Sequence, residues 1–381
     1  MNPSPRSLRL SKSSTGPAEV DAAVRIVQQA YFGTGPETQA FERELKEFLG
    51  SPGEVTCVNT GTAALHLALQ ACGIGPGDEV LVPSLTFIAS FQAISATGAC
   101  PVACDVLETN ALLDLEDAAK RVTSKTKAVM PVHYASFPGN LDALHRFAKS
   151  RGLRVIEDAA HAFGCTYKGR RIGSFGDVVC FSFDGIKNIT SGEGGAVVSE
   201  DSEVVRRVRD ARLLGVEKDT ERRYQQQRSW EFEVHDQGWR YHMSDLMAVL
   251  GRVQLSRFEN EFRPKRIELA TRYRELLKDV EDIKLLETDL GPVVPHIQPV
   301  RVLHGKRDRV KAHLNAAGIE AGIHYKPNHL LARYGGGITK LPVAESLHHE
   351  LLSLPLHFDL SLSDVERVVS KAKESIATVR E

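Results

Sequence analysis

Residues 153–162 read Leu153-Arg154-Val155-Ile156-Glu157-Asp158-Ala159-Ala160-His161-Ala162, a short apolar run that ends in two acidic residues and continues into small ones. A run of this length and composition is typical of a buried strand. Similar runs alternate with helical patterns along the chain, so the strand is expected to belong to a mostly parallel α/β sheet. Asp158 then lies at the carboxyl end of the strand, where open α/β sheets bind ligands. Asp158 could instead cap a helix that begins at Ala159, because aspartate is a favoured N-cap residue.

The other apolar runs predict a seven-stranded, mostly parallel sheet flanked by helices. Helical periodicity predicts helices over residues 38–49 and 141–150. The strands are expected near residues 54–58, 79–83, 100–105, 127–132, 153–157, 178–183 and 195–198.

A chain of 381 residues exceeds the size at which single cores stop growing, so two domains are expected. We predict a large domain over residues 1–250, with residues 1–17 as a flexible lead-in, and a smaller α+β domain over residues 251–381. A helical region over residues 244–277, broken at Pro264, is expected to connect the two. The small domain is expected to contain strands at 297–303 and 319–323 and helices at 306–317 and 363–379.

One lysine lies between an apolar strand and a glycine-rich turn. The run reads Phe181-Ser182-Phe183-Asp184-Gly185-Ile186-Lys187-Asn188-Ile189-Thr190-Ser191-Gly192-Glu193-Gly194-Gly195. A lysine amine attacks a carbonyl only when it is deprotonated, and desolvation at a strand end lowers its pKa. Lys187 is therefore a candidate for forming a Schiff base. The alternative is that its side chain simply extends to the surface after a core strand.

Asp158 and Lys187 together indicate a cofactor. A carboxylate can hold a pyridine nitrogen in its protonated form, and the ring of pyridoxal phosphate (PLP) withdraws electrons only when this nitrogen is charged. The segment Asn59-Thr60-Gly61-Thr62 adds a possible phosphate site, because it follows a predicted strand and opens a helix. The N–H groups and the dipole at a helix start attract an anion, and the Thr62 hydroxyl can contribute. An ordinary capped helix is the alternative reading of this segment.

These residues belong to a longer ordered series of motifs. The series resembles the DegT/StrS group of nucleotide-sugar aminotransferases, which have the aspartate-aminotransferase fold, PLP fold type I, and the resemblance covers nearly the whole chain. The further matching motifs are Phe32-Gly33-Thr34-Gly35-Pro36, Gly61-Thr62-Ala63-Ala64-Leu65-His66, Gly75-Pro76-Gly77-Asp78-Glu79-Val80, Val82-Pro83-Ser84-Leu85-Thr86-Phe87, Pro131-Val132-His133, Tyr167-Lys168-Gly169-Arg170, Gly238-Trp239-Arg240-Tyr241-His242-Met243-Ser244-Asp245 and Gly322-Ile323-His324-Tyr325.

The resemblance implies that Lys187 binds PLP covalently and also moves protons, with pyridoxamine phosphate as the second form of the cofactor. The other implied contacts are Asp158 to the pyridine nitrogen, His161 to the ring hydroxyl, Phe87 and Ala160 to the two ring faces, and Gly61, Thr62 and Ser182 to the phosphate.

Arg240 departs from the commonest family pattern, which has Asn or sometimes Lys at this position. The resemblance implies that Arg240 reaches the phosphate bound by a partner subunit, so a homodimer with shared active sites is expected. An arginine would keep the reach and add a bidentate charged fork. The alternative is that Arg240 pairs with Asp236 or Asp245 of its own chain.

The resemblance implies transamination of a nucleotide-linked keto (deoxy) sugar, with L-glutamate as the amino donor. The product would be an amino sugar for a glycan, such as lipopolysaccharide O-antigen, or for a secondary metabolite. Residues 184–186 differ from those of many members, which leaves the sugar and the nucleotide open. Either a substrate contact or a solvated loop would explain the polar cluster His324, Tyr325, Lys326, Asn328 and His329.

Two other functions fit the same fold. One is a PLP-dependent sugar dehydratase, although relatives of that kind replace the lysine with histidine, so Lys187 argues against it. The other is a non-catalytic regulatory protein that binds PLP and a sugar without turnover. The chain has no appended DNA-binding segment that would support a regulatory role.

The composition of the chain limits the classes of partner that we expect. A net charge of −1 provides no field that would attract nucleic acid or a membrane, and no apolar run approaches the roughly 18 residues of a spanning helix. The first 17 residues lack the apolar core of a signal peptide, so a cytoplasmic protein is expected. The six cysteines form no Cys-x-x-Cys pair, so no metal site is expected. The polar segment 217–237 is too long for an ordinary connection.

Overall fold

The computed structural model describes residues 6–228 and 230–377. Its main sheet has seven strands in the order β1-β9-β8-β5-β4-β2-β3, and only β9 runs antiparallel to its neighbours. The predicted seven-stranded, mostly parallel sheet is confirmed. The strands, together with the short hairpin β6–β7, are β1 (Glu54–Val58), β2 (Glu79–Pro83), β3 (Cys100–Cys104), β4 (Thr126–Val129), β5 (Arg154–Asp158), β6 (Thr166–Tyr167), β7 (Arg170–Arg171), β8 (Val178–Ser182) and β9 (Gly195–Ser199).

Helices cover both faces of this sheet, which explains why its strands are apolar on both sides. In β8, Val179 and Phe181 belong to one core, whereas Val178 and Cys180 belong to the core on the opposite face. The helices of the chain are α1 (Pro17–Gln29), α2 (Pro36–Leu49), α3 (Gly61–Ala71), α4 (Ile88–Ala96), α5 (Leu115–Arg121), α6 (Leu141–Lys149), α7 (Ser202–Ala211), α8 (Asp219–Tyr224), α9 (Asp245–Arg257), α10 (Arg263–Leu277), α11 (Arg307–Ala316), α12 (Pro342–Glu350) and α13 (Leu362–Ala377).

A second, antiparallel sheet lies in a separate hydrophobic core, which we assign to the proposed smaller domain. Its strands are β10 (Ile283–Leu285), β11 (Gln298–Val302) and β12 (Leu351–Leu354). The predicted strand at 319–323 is wrong, because this segment pairs only at isolated positions, Ile319 with Leu8 and Gly322 with Ser353. The strand that completes the sheet is β12, which lies farther along the chain.

The connection between the domains differs from the prediction in its details. The break in the long helix is a π-helical turn over Phe258–Phe262, just before Pro264. The predicted boundary at 250/251 falls inside α9, whose Leu255 still packs in the core of the large domain. The change of core occurs along α10, where Leu269 and Leu277 pack in the small domain. We propose a division near the π-helical turn.

The amino-terminal segment is attached to the small domain. Leu8 is buried and exchanges backbone hydrogen bonds with Gly318 and Glu320. The carbonyl of Leu10 accepts a hydrogen bond from Leu356 N–H. The expectation of a flexible lead-in therefore does not hold for residues 8–10, while residues 1–5 lie outside the described chain.

The predicted loop 217–237 contains helix α8, which a buried polar cluster anchors. The cluster consists of Arg212, Glu42 and Tyr224. Arg212 is fully buried and donates to Glu42 Oε1 at 2.6 Å, to the Cys57 carbonyl at 2.6 Å and to Tyr224 Oη at 2.7 Å. Tyr224 in turn donates to Glu42. The arginine therefore connects the start of the long segment to the carboxyl end of β1.

Replacing Arg212 tests this anchor. The Arg212→Met variant leaves the Glu42 carboxylate buried without its cation, which costs about 3–5 kcal/mol. The measurement is the free energy of unfolding in a urea titration. Arg206→Met, which removes an exposed ion pair with Glu203, is the control and should leave that free energy nearly unchanged. Equal losses in the two variants would contradict a structural role for the cluster.

Candidate active site

Most of the predicted site residues lie at one edge of the main sheet. Asp158 is the last residue of β5, and Ser182 is the last residue of β8. Gly61 opens α3 after β1, and Phe87 immediately precedes α4 after β2. Because β1, β2, β5 and β8 share one direction, their carboxyl ends meet at this edge. The parallel topology therefore places residues from distant parts of the sequence around one cleft.

Lys187 lies in the turn that follows β8, where its N–H donates to the Asp184 carbonyl at 3.0 Å. Its side-chain Nζ lies 3.4 Å from Nε2 of His296, a residue that the sequence analysis did not select. Desolvation lowers the pKa of the Lys187 amine to about 8, although Asp184 and Asp158 partly oppose this shift. A substantial fraction of the amine is therefore neutral near physiological pH, which nucleophilic attack requires.

Asp158 is buried and faces the cleft. Ser90 Oγ donates to its Oδ2 at 2.7 Å, and the Ala160 N–H donates to its Oδ1 at 3.2 Å. Burial raises the pKa of this carboxyl, and the two hydrogen bonds counteract the rise. The alternative of a helix cap is wrong, because no helix begins after β5. A cationic partner would stabilise this carboxylate.

Two imidazoles lie beside the lysine. The rings of His161 and His296 have their centroids 4.5 Å apart. Burial lowers the pKa of both histidines well below the usual value, so both are neutral. Tyr325 Oη lies 3.1 Å from His161 Nε2, whereas Nδ1 of each histidine is buried without a partner. Each of these two nitrogens could therefore form a hydrogen bond with a bound molecule.

The start of α3 provides an anion cradle. Thr60 Oγ1 accepts from the Ala63 N–H at 3.0 Å, which leaves the first two N–H groups of the helix, those of Gly61 and Thr62, for an external acceptor. A Cβ on Gly61 would lie 2.7 Å from Ser182 Cβ and 2.9 Å from its Oγ. Glycine is therefore required for the close approach of helix and strand. The Thr62 side chain is exposed at this point.

Arg240 is exposed and lies on an extended segment beside α3. Its neighbours Trp239 and Tyr241 stack on each other and contact His66, so the alternation along the segment directs Arg240 outwards. Asp245 is occupied by N–H groups at the start of α2. Within the described chain, Arg240 forms no ion pair with an acidic residue, so the own-chain alternative finds no support.

The polar cluster at 324–329 divides into two parts. Tyr325 faces the cleft, with its ring centroid 5.6 Å from that of the half-exposed Phe87. His324 Nδ1 lies 2.7 Å from Ser353 Oγ, and burial lowers the pKa of this histidine to about 4. Lys326 is exposed. Tyr325 and His324 are thus the two members of the polar cluster that lie beside the cleft.

Asn328 and His329 form hydrogen bonds within the chain. Asn328 Nδ2 donates to the carbonyls of Ser84 and Thr86 at 3.1 and 2.8 Å. His329 is buried, with Nδ1 2.7 Å from Ser84 Oγ and Nε2 3.2 Å from Glu345 Oε1. Both side chains therefore connect this loop to the end of β2, and substrate binding by His329 stays a prediction.

Over residues 6–228 and 230–377, no group of three or more His, Cys, Asp or Glu side chains is arranged to hold a metal ion. No helix in these ranges is both long and apolar enough to cross a bilayer.

This fold is that of the PLP-dependent aminotransferases of fold type I, as the resemblance implied. The cleft fits the cofactor, because the glycine cradle, the buried carboxylate and the unpaired imidazole nitrogens match a phosphate, a pyridine nitrogen and a ring hydroxyl. A model described as the DegT/DnrJ/EryC1/StrS aminotransferase family matches residues 14–373, and the chain belongs to this family. It is a PLP-dependent aminotransferase.

Individual relatives cover nearly the same length. The chain is 36% identical, over 97% of its length and 97% of the relative, to a dTDP-4-dehydro-2,3,6-trideoxy-D-glucose 4-aminotransferase from Saccharopolyspora spinosa. It is 36% identical, over 97% and 98%, to a UDP-4-amino-4-deoxy-L-arabinose–oxoglutarate aminotransferase from Shewanella sediminis. The PLP form of Spr1654 from Streptococcus pneumoniae has a TM-score of 0.91 at 29% identity, covering 98% of this chain and 100% of that one, and a PMP form has also been solved.

The low pKa of Lys187 predicts selective reactivity in the cofactor-free protein. An amine-acylating reagent modifies only the neutral amine, so Lys187 should reach half-maximal reactivity near pH 8, whereas an unperturbed lysine does so near 10.4. Peptide mass spectrometry across a pH series measures this midpoint. A midpoint for Lys187 near that of exposed lysines would contradict the desolvation of its amine.

Proposed function

We propose that this aminotransferase moves an amino group from L-glutamate to the keto group of a nucleotide-linked deoxy sugar. The proposal rests mainly on the position of Lys187, whose desolvated amine lies beside Asp158 at the carboxyl edge of the sheet. The names of two relatives that share 36% identity with nearly the full chain support a nucleotide sugar as substrate. The amino sugar formed would enter a glycan, such as O-antigen, or a secondary metabolite.

Lys187 performs two tasks in this proposal. Its neutral amine would hold the cofactor covalently, and once the donor amino acid had displaced it, the same amine would take the α-proton of that amino acid and pass it to the former aldehyde carbon of the cofactor. Bound PLP supplies an aldehyde that condenses with amines and a ring that withdraws electrons. A second half-reaction with the keto sugar runs through the same proton transfers in reverse.

The other site residues hold and polarise the cofactor. Asp158 keeps the pyridine nitrogen protonated, and its buried carboxylate gains a cationic partner in exchange. His161, whose Nδ1 is unpaired, is the proposed partner of the ring hydroxyl. Phe87 and Ala160 cover the ring faces. The phosphate is assigned to the N–H groups of Gly61 and Thr62 and to the Ser182 hydroxyl.

The charge balance at the phosphate supports a homodimer. Gly61, Thr62 and Ser182 offer only neutral donors, whereas a phosphate monoester carries close to two negative charges. Arg240 is exposed without an ion-pair partner in the described chain, and its segment is braced by Trp239 and Tyr241, which are residue types enriched at interfaces. We therefore assign the missing charge to Arg240 of the partner subunit.

The proposed substrate contacts come from residues 324–326. Tyr325 and His324 are the strongest candidates. Tyr325 Oη lies 3.1 Å from His161 Nε2, and burial together with the charge of Lys187 lowers the pKa of His324. Lys326 is exposed and could meet the diphosphate of a nucleotide. A cytoplasmic location fits the six cysteines, none of which forms a disulfide. The near-neutral net charge supports the proposal that neither nucleic acid nor a membrane is a partner.

Lys187→Ala tests the chemistry. In the wild type, L-glutamate should convert the pyridoxal absorption to that of the pyridoxamine form, and a dTDP- or UDP-linked 4-keto sugar should reverse the change. Lys187→Ala should lose both conversions while it still binds the cofactor, because the covalent anchor and the proton carrier are the same amine. Lys371→Ala, an exposed lysine on α13, is the control. A wild type that keeps its pyridoxal spectrum with glutamate would instead be a sensor.

Mixed dimers test the shared site. Lys187→Ala and Arg240→Ala are each expected to be inactive as pure dimers. In a mixed dimer, one site carries both defects and the other carries neither, so about half of normal activity should return per mixed dimer. If Arg240 served its own chain, every site would stay damaged and no activity would return. An active enzyme that is monomeric in solution would also overturn the assignment.

A further inference from the structure

The Lys187 amine contacts a histidine from a distant part of the chain. Nε2 of His296 lies 3.4 Å from Lys187 Nζ, although 109 positions separate the two residues in the sequence. The contact is long for a hydrogen bond, but bonds of this kind often shorten when the substrate or cofactor is bound. His296 is buried and packs against the ring of His161, which leaves it little freedom to turn away.

The backbone of His296 is fixed by two buried polar side chains. Its N–H donates to Ser136 Oγ at 2.9 Å, and that hydroxyl donates to the carbonyl of His161. Arg266 donates at 3.3 Å to the carbonyls of Pro295 and His296 and at 3.5 Å to the carbonyl of Lys187. One buried guanidinium thus holds the main chain on both sides of the contact, which sets the distance between the amine and the imidazole.

The ionisation of His296 suits the role of an acceptor. Burial, together with the nearby cations Lys187 and Arg266, lowers its pKa well below the usual value, so the ring is neutral. A neutral ring that accepts at Nε2 must carry its proton on Nδ1. The other ionisable groups close to this pair are Asp158, Asp184, His161 and His324.

We propose that His296 accepts a hydrogen bond from the Lys187 amine and holds that amine in line for proton transfer. The inference deepens the proposed function and rests on Lys187 as the proton carrier. When the amine takes up the α-proton of the donor it becomes an ammonium with three N–H bonds. One of these can donate to Nε2, while the acquired proton remains free to move onward, so the proton count is unchanged.

This role makes two measurable predictions. An ammonium donates a stronger hydrogen bond than a neutral amine, so His296 raises the pKa of Lys187 relative to a site without an acceptor. Removing the acceptor should therefore lower the pH midpoint of Lys187 acylation in the cofactor-free protein by about one unit. In the holoenzyme, the first half-reaction with L-glutamate should slow about tenfold with little change in KM, because alignment of the proton carrier is lost.

Three variants of His296 distinguish the effect of an acceptor at the position of Nε2 from the effect of side-chain volume. His296→Phe keeps a ring against His161 but has no acceptor. His296→Gln places an amide where Nε2 lies, whereas His296→Asn is equally polar but places its amide only as far as Nδ1. His357→Phe is the matched control, because His357 is also buried with a lowered pKa but makes no contact with Lys187.

The expected result is a lowered midpoint and a slow half-reaction for the Phe and Asn variants, with the Gln variant and the His357→Phe control close to wild type. If the Phe variant does not fold, the comparison of Gln with Asn decides alone. Equal behaviour of Gln and Asn, or no change in any variant, would overturn the proposal. Activity in Lys187→Ala would instead reject the function assigned to the lysine, so the two failures are distinguishable.

Discussion

The site depends on the desolvation of one amine. A lysine in water is almost entirely protonated at neutral pH and cannot attack a carbonyl. In this protein the turn after β8 places Lys187 in a cleft between the main sheet and the small domain, and burial brings its pKa to about 8. The carboxylates Asp158 and Asp184 pull in the opposite direction, so the balance keeps the amine near the pH at which it must both gain and lose protons.

Desolvation also limits which charged groups can lie beside Lys187 in the cleft. An unpaired charge is costly in a buried site, so the imidazoles of His161 and His296 are neutral, and Asp158 is stabilised by Ser90 and a backbone N–H. A cofactor with a pyridine nitrogen and a phosphate would add one positive and up to two negative charges to this setting. We assign the carboxylate of Asp158 as the partner of the positive pyridine nitrogen. We assign the start of α3, together with an arginine of the partner subunit, as the site that binds the negative phosphate.

The proposed small domain contributes residues to the candidate site. Arg266 on α10 and the segment that carries His296 both come from beyond the π-helical turn. Arg266 donates to the carbonyl of Lys187, and Nε2 of His296 lies 3.4 Å from the Lys187 amine. Asn328 and His329 attach a second segment of this domain to the end of β2. Movement of the small domain would therefore alter the surroundings of the lysine directly, because Arg266 and His296 both contact Lys187.

The sequence by itself determined the large sheet, the order of its strands along the chain and the residues that face its carboxyl edge. This was possible because a parallel sheet buried on both faces leaves uninterrupted apolar runs, and because Asp158, Ser182 and Gly61 directly adjoin such runs. Short strands in the small domain carry no comparable signal, and the segment 319–323 looked like a strand although its pairing partners lie elsewhere. Only the tertiary structure decided that His296, Arg266 and Ser90 surround the reactive groups and that His329 is occupied in packing. Those contacts join residues far apart in sequence, and local pattern contains no information about a distance that only the folded chain fixes.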